Sequence, residues 1–193
     1  MITITLIDDT DLSKPGSGQQ ARTYALFSNI AKYANVKVVL QKLEDPQKLS
    51  WATDIKLVKC IPGKLSSWFC NATALHEIIS FAKDSDVIIA EHIYGINRWA
   101  PIASKVLHIP FIYDSHSNEI ETCTNIKCIT LVVPFERYMY KSADLVFAIS
   151  EQVARNAVMF YNLNLEKVIP LPPALRSISC NDEIRDKMKD ELK

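Results

Sequence analysis

The chain of 193 residues predicts an α/β fold, a doubly wound parallel sheet of about seven strands with helices on both faces. Three observations carry the prediction. Short β-branched runs alternate along the chain with longer amphipathic segments. Most of those runs are apolar throughout, as strands buried on both faces must be. The composition is 48% hydrophobic and 23% charged with only four glycines, which supplies a core and excludes disordered, collagen-like and disulfide-dense classes.

In chain order the strands are expected at 2–7, 36–40, 55–59, 87–90, 110–113, 145–149 and 167–170. Between them, 19–33 places Tyr24, Phe27 and Ala31 on one helical stripe, and 73–82 buries Leu75, Ile78 and Ile79. Segment 99–107 follows the same period, and a further helix begins at Ser150, its N-cap, with Glu151 in the first turn and Val153, Ala157 and Phe160 turned inward. Pro170, Pro172 and Pro173 mark a rigid end to the doubly wound unit, so residues 1–175 are expected to form one domain. Residues 176–193 are mostly polar and read as a linker or surface helix.

Charge and cysteine usage narrow the partners. Lys plus Arg number 22 and Asp plus Glu 22, so no global field draws the chain to nucleic acid. The apolar start runs at once into Asp8, Asp9 and Asp11, unlike a signal peptide, and a cytoplasmic location is expected. Lys64, Trp68 and Phe69 could touch a lipid interface, giving a peripheral place at the inner membrane surface, but core packing also explains the two aromatics. Five cysteines (Cys60, Cys70, Cys123, Cys128 and Cys180) read as reduced thiols, and the spacing of Cys123 and Cys128 argues against zinc. No metal is expected.

Ligands in open parallel sheets bind beyond the carboxyl ends of the strands, and four loops there stand out. The first ends in Gly16-Ser17-Gly18-Gln19-Gln20-Ala21 and opens into a helix, so its backbone N–H groups could meet a diphosphate. A dinucleotide reading of the same GxGxxA string is the weaker alternative: eight residues separate it from the strand, and Val39-Leu40-Gln41 offers no acidic ribose ligand. The second loop, Glu91-His92-Ile93-Tyr94-Gly95, offers polar groups for sugar hydroxyls or is a satisfied loop. The third, Tyr113 to Glu121, carries hydrogen-bonding groups on eight of nine side chains, more than capping requires. Its His116 could orient or protonate a substrate oxygen and its Asp114 could accept from hydroxyls, while Ser117 or Asn118 could cap a helix with Glu119 and Glu121 near its dipole. The fourth, Ser150-Glu151-Gln152, is explained by capping alone.

Taken in order, these segments resemble the N-terminal domain of family-four glycosyltransferases of the GT-B fold. Ser17-Gly18-Gln19-Gln20-Ala21-Arg22 is similar to the family's Gly-Gly loop, with Ser17 in place of one glycine and Arg22 where a histidine or arginine often stands. Asp86-Val87-Ile88-Ile89-Ala90-Glu91-His92 looks like its strand with a histidine-bearing end, and Ile109-Pro110-Phe111-Ile112-Tyr113-Asp114-Ser115-His116 like its "P…yDsH" strand. Glu136, then 143–151 and Lys167-Val168-Ile169-Pro170, resemble the end of that domain, although Leu171-Pro172-Pro173 replaces the usual Asn-Gly.

The resemblance implies a Rossmann-like N-terminal half of a GT-B fold and a retaining hexosyl transfer. The co-substrate would be a nucleotide sugar, UDP- or GDP-hexose, with no further cofactor, and the acceptor a glycan or a lipid-linked sugar. It implies His116 at the sugar and reaction centre. Asp114, His92, Glu91 and Ser150 would hold substrate, and Ser17, Gly18 and Gln19 the donor diphosphate. The family's donor-binding C-terminal domain, with its E-x7-E element, would come from further chain or a partner subunit. Glu183 and Glu191 have that spacing but sit among Lys187 and Lys189, as solvated helix charges do. By itself the chain would then be inactive. A non-catalytic acceptor-binding or docking module is the alternative, and a nucleotide-dependent oxidoreductase the weaker one.

Overall fold

A computed structural model describes residues 1–14, 16–58, 66–122 and 126–172, with backbone alone at 66–72, 122, 126–129 and 131. The side chains of all five cysteines, the Lys64, Trp68 and Phe69 anchor, Pro173 and the 176–193 tail lie outside the described part.

Seven strands form one wholly parallel sheet in the order β3-β2-β1-β4-β5-β6-β7. They are β1 (Thr3–Asp8), β2 (Asn35–Leu40), β3 (Asp54–Leu57), β4 (Val87–Glu91), β5 (Phe111–Ser115), β6 (Leu145–Ala148) and β7 (Val168–Pro170). The helices are α1 (Gly18–Ile30), α2 (Ser66–Ala82), α3 (Ala100–Leu107), α4 (Glu119–Thr122), α5 (Ile126–Ser142) and α6 (Glu151–Tyr161). The doubly wound Rossmann-like sheet expected from the sequence is the sheet observed.

Strand alternation divides the core into two layers. Ile4, Leu6, Val36, Val38, Leu40 and Ile89 meet Phe27 of α1 on one face. Ile7, Val39, Ile88, Ala90, Phe111, Tyr113, Val146 and Ala148 point the other way, against Ile78 of α2, Ala103 of α3, Tyr140 of α5 and Ala157 of α6. The chain therefore reverses its winding between β1 and β4, and in open parallel sheets ligands bind at the carboxyl ends beside such a reversal.

The structure corrects several expectations. Asp8, Glu91, Asp114 and Ser115 are the last residues of their strands and not loop residues, because the parallel ladder continues to Asp8↔Leu40, Glu91↔Asp114 and Ser115↔Ala148. Helix α2 begins at Ser66 and not at 73. Phe160 is 40% exposed, since the inward stripe of α6 runs through Ala154, Ala157 and Tyr161. Helix α5 was not foreseen: Pro134 lies inside it, and Thr130, Val132 and Val133 favour strand geometry. Its helical state is fixed by packing, with Met139 and Tyr140 in the core.

Candidate functional site

The alternation that builds the core also builds the site. Asp8 continues the face of Leu6, Glu91 that of Ile89, and Asp114 and His116 that of Ile112, so all four side chains arrive on the α1 side of the sheet. Helix α1 starts there because Ser17 and Gln20 form a reciprocal capping box: Gln20 N–H donates to Ser17 Oγ at 3.2 Å, and Ser17 N–H donates to Gln20 Oε1 at 3.1 Å. About one turn into that helix Arg22 points down onto the strand ends.

Arg22 is the hub, and it is 6% exposed. Its Nη1 donates to Asp114 Oδ2 at 2.5 Å and lies 3.1 Å from His116 Nε2, while Nη2 donates to the Leu171 carbonyl at 3.1 Å. The same His116 Nε2 lies 2.5 Å from Glu91 Oε2. A guanidinium only donates, so His116 Nε2 carries the lone pair and Nδ1 carries the hydrogen. Burial and the Arg22 charge together hold the His116 pKa down to about 3, so the ring is neutral at physiological pH. Burial, with Asp114 and Asp8 nearby, pushes Glu91 well above the usual carboxylate range, in keeping with its 2.5 Å contact with the His116 Nε2 lone pair. Burial also raises Asp114, and the Arg22 contact opposes that rise.

Three buried atoms of this cluster have no protein partner: Glu91 Oε1, Asp114 Oδ1 and His116 Nδ1. They amount to two acceptors and one donor within a single cluster, a pattern complementary to hydroxyl groups.

A second layer lines the mouth. The His92 ring stacks on His116 at 5.5 Å between centroids and meets the Gln19 amide at 2.5 Å from Nδ1. Burial holds His92 neutral, its pKa lowered to about 4. Its φ of 39° is a left-handed backbone that a non-glycine residue adopts only when its surroundings impose it. Asp8 accepts two bonds from Thr10 at 2.8 Å, and burial raises its pKa to about 6. Asp9 accepts from Asn97 Nδ2 at 3.2 Å. Gly95 closes that turn with φ +55°, where a Cβ would collide with Asp9 and come within 2.7 Å of Gln41 Oε1.

Of the residues singled out from sequence, the structure brings His116, Asp114, Glu91 and His92 together, with Gln19 beside them. Ser17 is spent on its capping box, but Gly18 next to it has open space around its Cα. Ser150 stands apart as the N-cap of α6, accepting from Val153 N–H at 3.2 Å. Helix α4 is capped by neither Ser117 nor Asn118: Asn118 turns to Tyr140 and the Val153 carbonyl, and the Glu136 carboxylate receives the Glu119 and Ile120 amides. Asp8 had no local signal, and Arg22 was marked only by its place in the family-like loop motif, without a role. Two triads hold ligand-type atoms within 4.8 Å of one another, Asp8 with Asp9 and His92, and Glu91 with Asp114 and His116. In the second, Arg22 already supplies the positive charge that a metal ion would bring.

No family model matches the sequence, and no curated protein matches it. Solved structures do match in fold. Anabaena HepE in complex with UDP and glucose superposes with TM-score 0.64 at 18% identity, over 98% of this chain and 50% of that one. The UDP-GlcNAc 2-epimerase of Neisseria meningitidis bound to UDP-GlcNAc gives 0.63 at 15% identity, over 88% and 45%. The lipopolysaccharide outer core galactosyltransferase WaaB gives 0.56 at 16% identity, over 92% and 48%. At such identities the likeness is one of fold. The chain spans about half the length of these proteins, and its sheet is that of one half of GT-B enzymes that handle UDP and UDP-sugars.

Proposed function

We propose that the chain is the acceptor-side, N-terminal half of a glycosyltransferase that moves a hexosyl group from a nucleotide sugar to an acceptor with retention. The observation that carries this reading is the set of unpartnered buried atoms on Glu91, Asp114 and His116 at the point where the sheet reverses its winding. Sugar hydroxyls match two acceptors and a donor, and a neutral His116 meets an uncharged sugar without an ionic mismatch. His116 lies at the sugar and reaction centre, with Asp114, Glu91 and His92 around it. The amides of Gly18 and Gln19, at the free end of α1, face the departing diphosphate. A second, donor-binding domain or subunit supplies the remaining contacts, and residues 1–193 alone do not turn over. The acceptor is a glycan or a lipid-linked sugar, and UDP is the better supported nucleotide because neighbours of this fold hold it. Among the described residues no helix is long and apolar enough to cross a membrane.

In the assembled enzyme, His116→Ala should lower transfer by about 100-fold, the usual worth of one positioned proton-handling or charge-stabilising group. Unchanged turnover would sink the role of His116.

A second reading is sugar-nucleotide epimerisation. It draws on the epimerase neighbours and on the raised pKa of Glu91, suited to moving a proton at carbon. Epimerisation breaks and remakes a C–H bond, so product formed in heavy water would carry deuterium. Glycosyl transfer leaves the sugar carbons unlabelled.

A further inference from the structure

We infer that Glu136 is a positioning residue: from α5 it holds the loop that carries His116, and through the loop it fixes how the His116 ring meets Glu91 and Arg22. Glu136 is fully buried and lies far along the chain from the strand ends. One carboxylate oxygen receives the Glu119 amide at 2.7 Å, the other the Ile120 amide at 3.3 Å. These are the first two amides of α4, the short helix that follows Ser115, His116, Ser117 and Asn118. The second oxygen also accepts from the Tyr161 hydroxyl, which ties the arrangement to α6.

The other end of the loop is held from the same two helices. Tyr140 of α5 donates to Asn118 Oδ1 at 2.7 Å and stands 2.6 Å from Ser115 Oγ, and Asn118 Nδ2 reaches the Val153 carbonyl of α6 at 3.3 Å. Tyr140 and Tyr161 stack at 4.7 Å between centroids, so the two tethers share one aromatic support. His116 thus lies between two anchors, the Ser115 hydroxyl on one side and the Glu119 and Ile120 amides on the other. Its ring needs them, because a single Nε2 lone pair faces both Arg22 and Glu91 and a shift of the loop breaks one of those contacts. A buried carboxyl group that meets two amides and a hydroxyl is a strong restraint, since losing it would leave those groups unpaired in the interior. Glu136 touches none of the unpartnered atoms of Glu91, Asp114 and His116, so its effect on the site passes through the loop.

Nitrogen NMR of the His116 ring in the full chain tests this without reference to any substrate. The wild type should show one tautomer, hydrogen on Nδ1. Glu136→Gln turns one acceptor into an amide donor, and the ring should become a mixture of tautomers in a protein whose circular dichroism is unchanged. Tyr161→Phe keeps both amide caps and should retain the single tautomer. A folded Glu136→Gln protein with the wild-type His116 signature overturns the assignment. The wild type provides a reading that needs no variant: the Glu119 and Ile120 amides should exchange with deuterium at least ~100-fold slower than free amides. Exchange at the free rate overturns the proposal in the same way.

Discussion

His116 and His92 stand out because each is buried neutral beside carboxyl groups. In an unfolded chain both would titrate near the ordinary histidine value, about 6.5. Folded, they are lowered to about 3 and about 4. As pH falls below 6.5 the unfolded chain takes up protons that the folded chain refuses, so this part of the stability is complete above 6.5 and is lost toward pH 4. Asp8 and Glu136 act in the opposite sense. Raised to about 6 and about 7, they bind protons in the folded state first, and their contribution fades as pH rises through those values. Replacing His116 by Gln removes one acid-side term. Between about pH 7 and about pH 4.5 the variant should lose roughly 2 kcal/mol less stability than the wild type, read from urea midpoints at the two pH values. Equal losses would mean that His116 titrates normally in the folded protein.

What could be read at this scale was the local density of polar groups: Asp114 and His116 share one short segment with many hydrogen bonders. Asp8 escaped, and Arg22 and Glu136 were marked only by the family resemblance and given no role, for a common reason. Each is an ordinary charged residue in its own segment, and only contacts between distant parts of the chain place it in the interior, such as Arg22 with Asp114 and Leu171. A strand pattern does hold one usable clue. The alternation Leu6, Asp8 and Ile89, Glu91 puts an acid in an inward position at the end of each strand, and an inward acid needs a partner.

Among the elements, the β4 turn and the start of α1 bear most directly on the site. Gly95 has a left-handed backbone and lies against Asp9 and Gln41. Gly95→Ala should destabilise by about 2 kcal/mol, from a strained φ and an overpacked turn, and should disturb His92 three residues earlier. A denaturant midpoint that does not move would show that the turn yields easily. Ser17→Ala, by contrast, removes a helix cap with no core contact and should cost about 1 kcal/mol. Element boundaries were harder to read than element types. Most strands were found because they are apolar on both faces. Helix α5 was not, because Pro134 and its β-branched neighbours oppose a helix that only packing enforces.

Over the whole molecule, the order and direction of the strands follow from short apolar runs joined by helical crossovers, which leave few other topologies open. The reversal between β1 and β4 then decides where a ligand can enter. The distribution of charge sharpens what that ligand is. Asp8, Asp9, Glu91 and Asp114 gather at the strand ends with Arg22 as their buried cation, an arrangement that suits neutral hydroxyls better than a diphosphate. That polarity agrees with the proposal that the donor contacts come from a further domain or a partner subunit.

Calorimetric titration of residues 1–193 with glucose, UDP and UDP-glucose tests this division most directly. The account predicts weak saturable binding of glucose, with Kd on the order of 1 mM, lost in His116→Ala, and no tight binding of UDP. Tight binding of UDP-glucose by this chain alone, or glucose binding that is indifferent to His116, would contradict it.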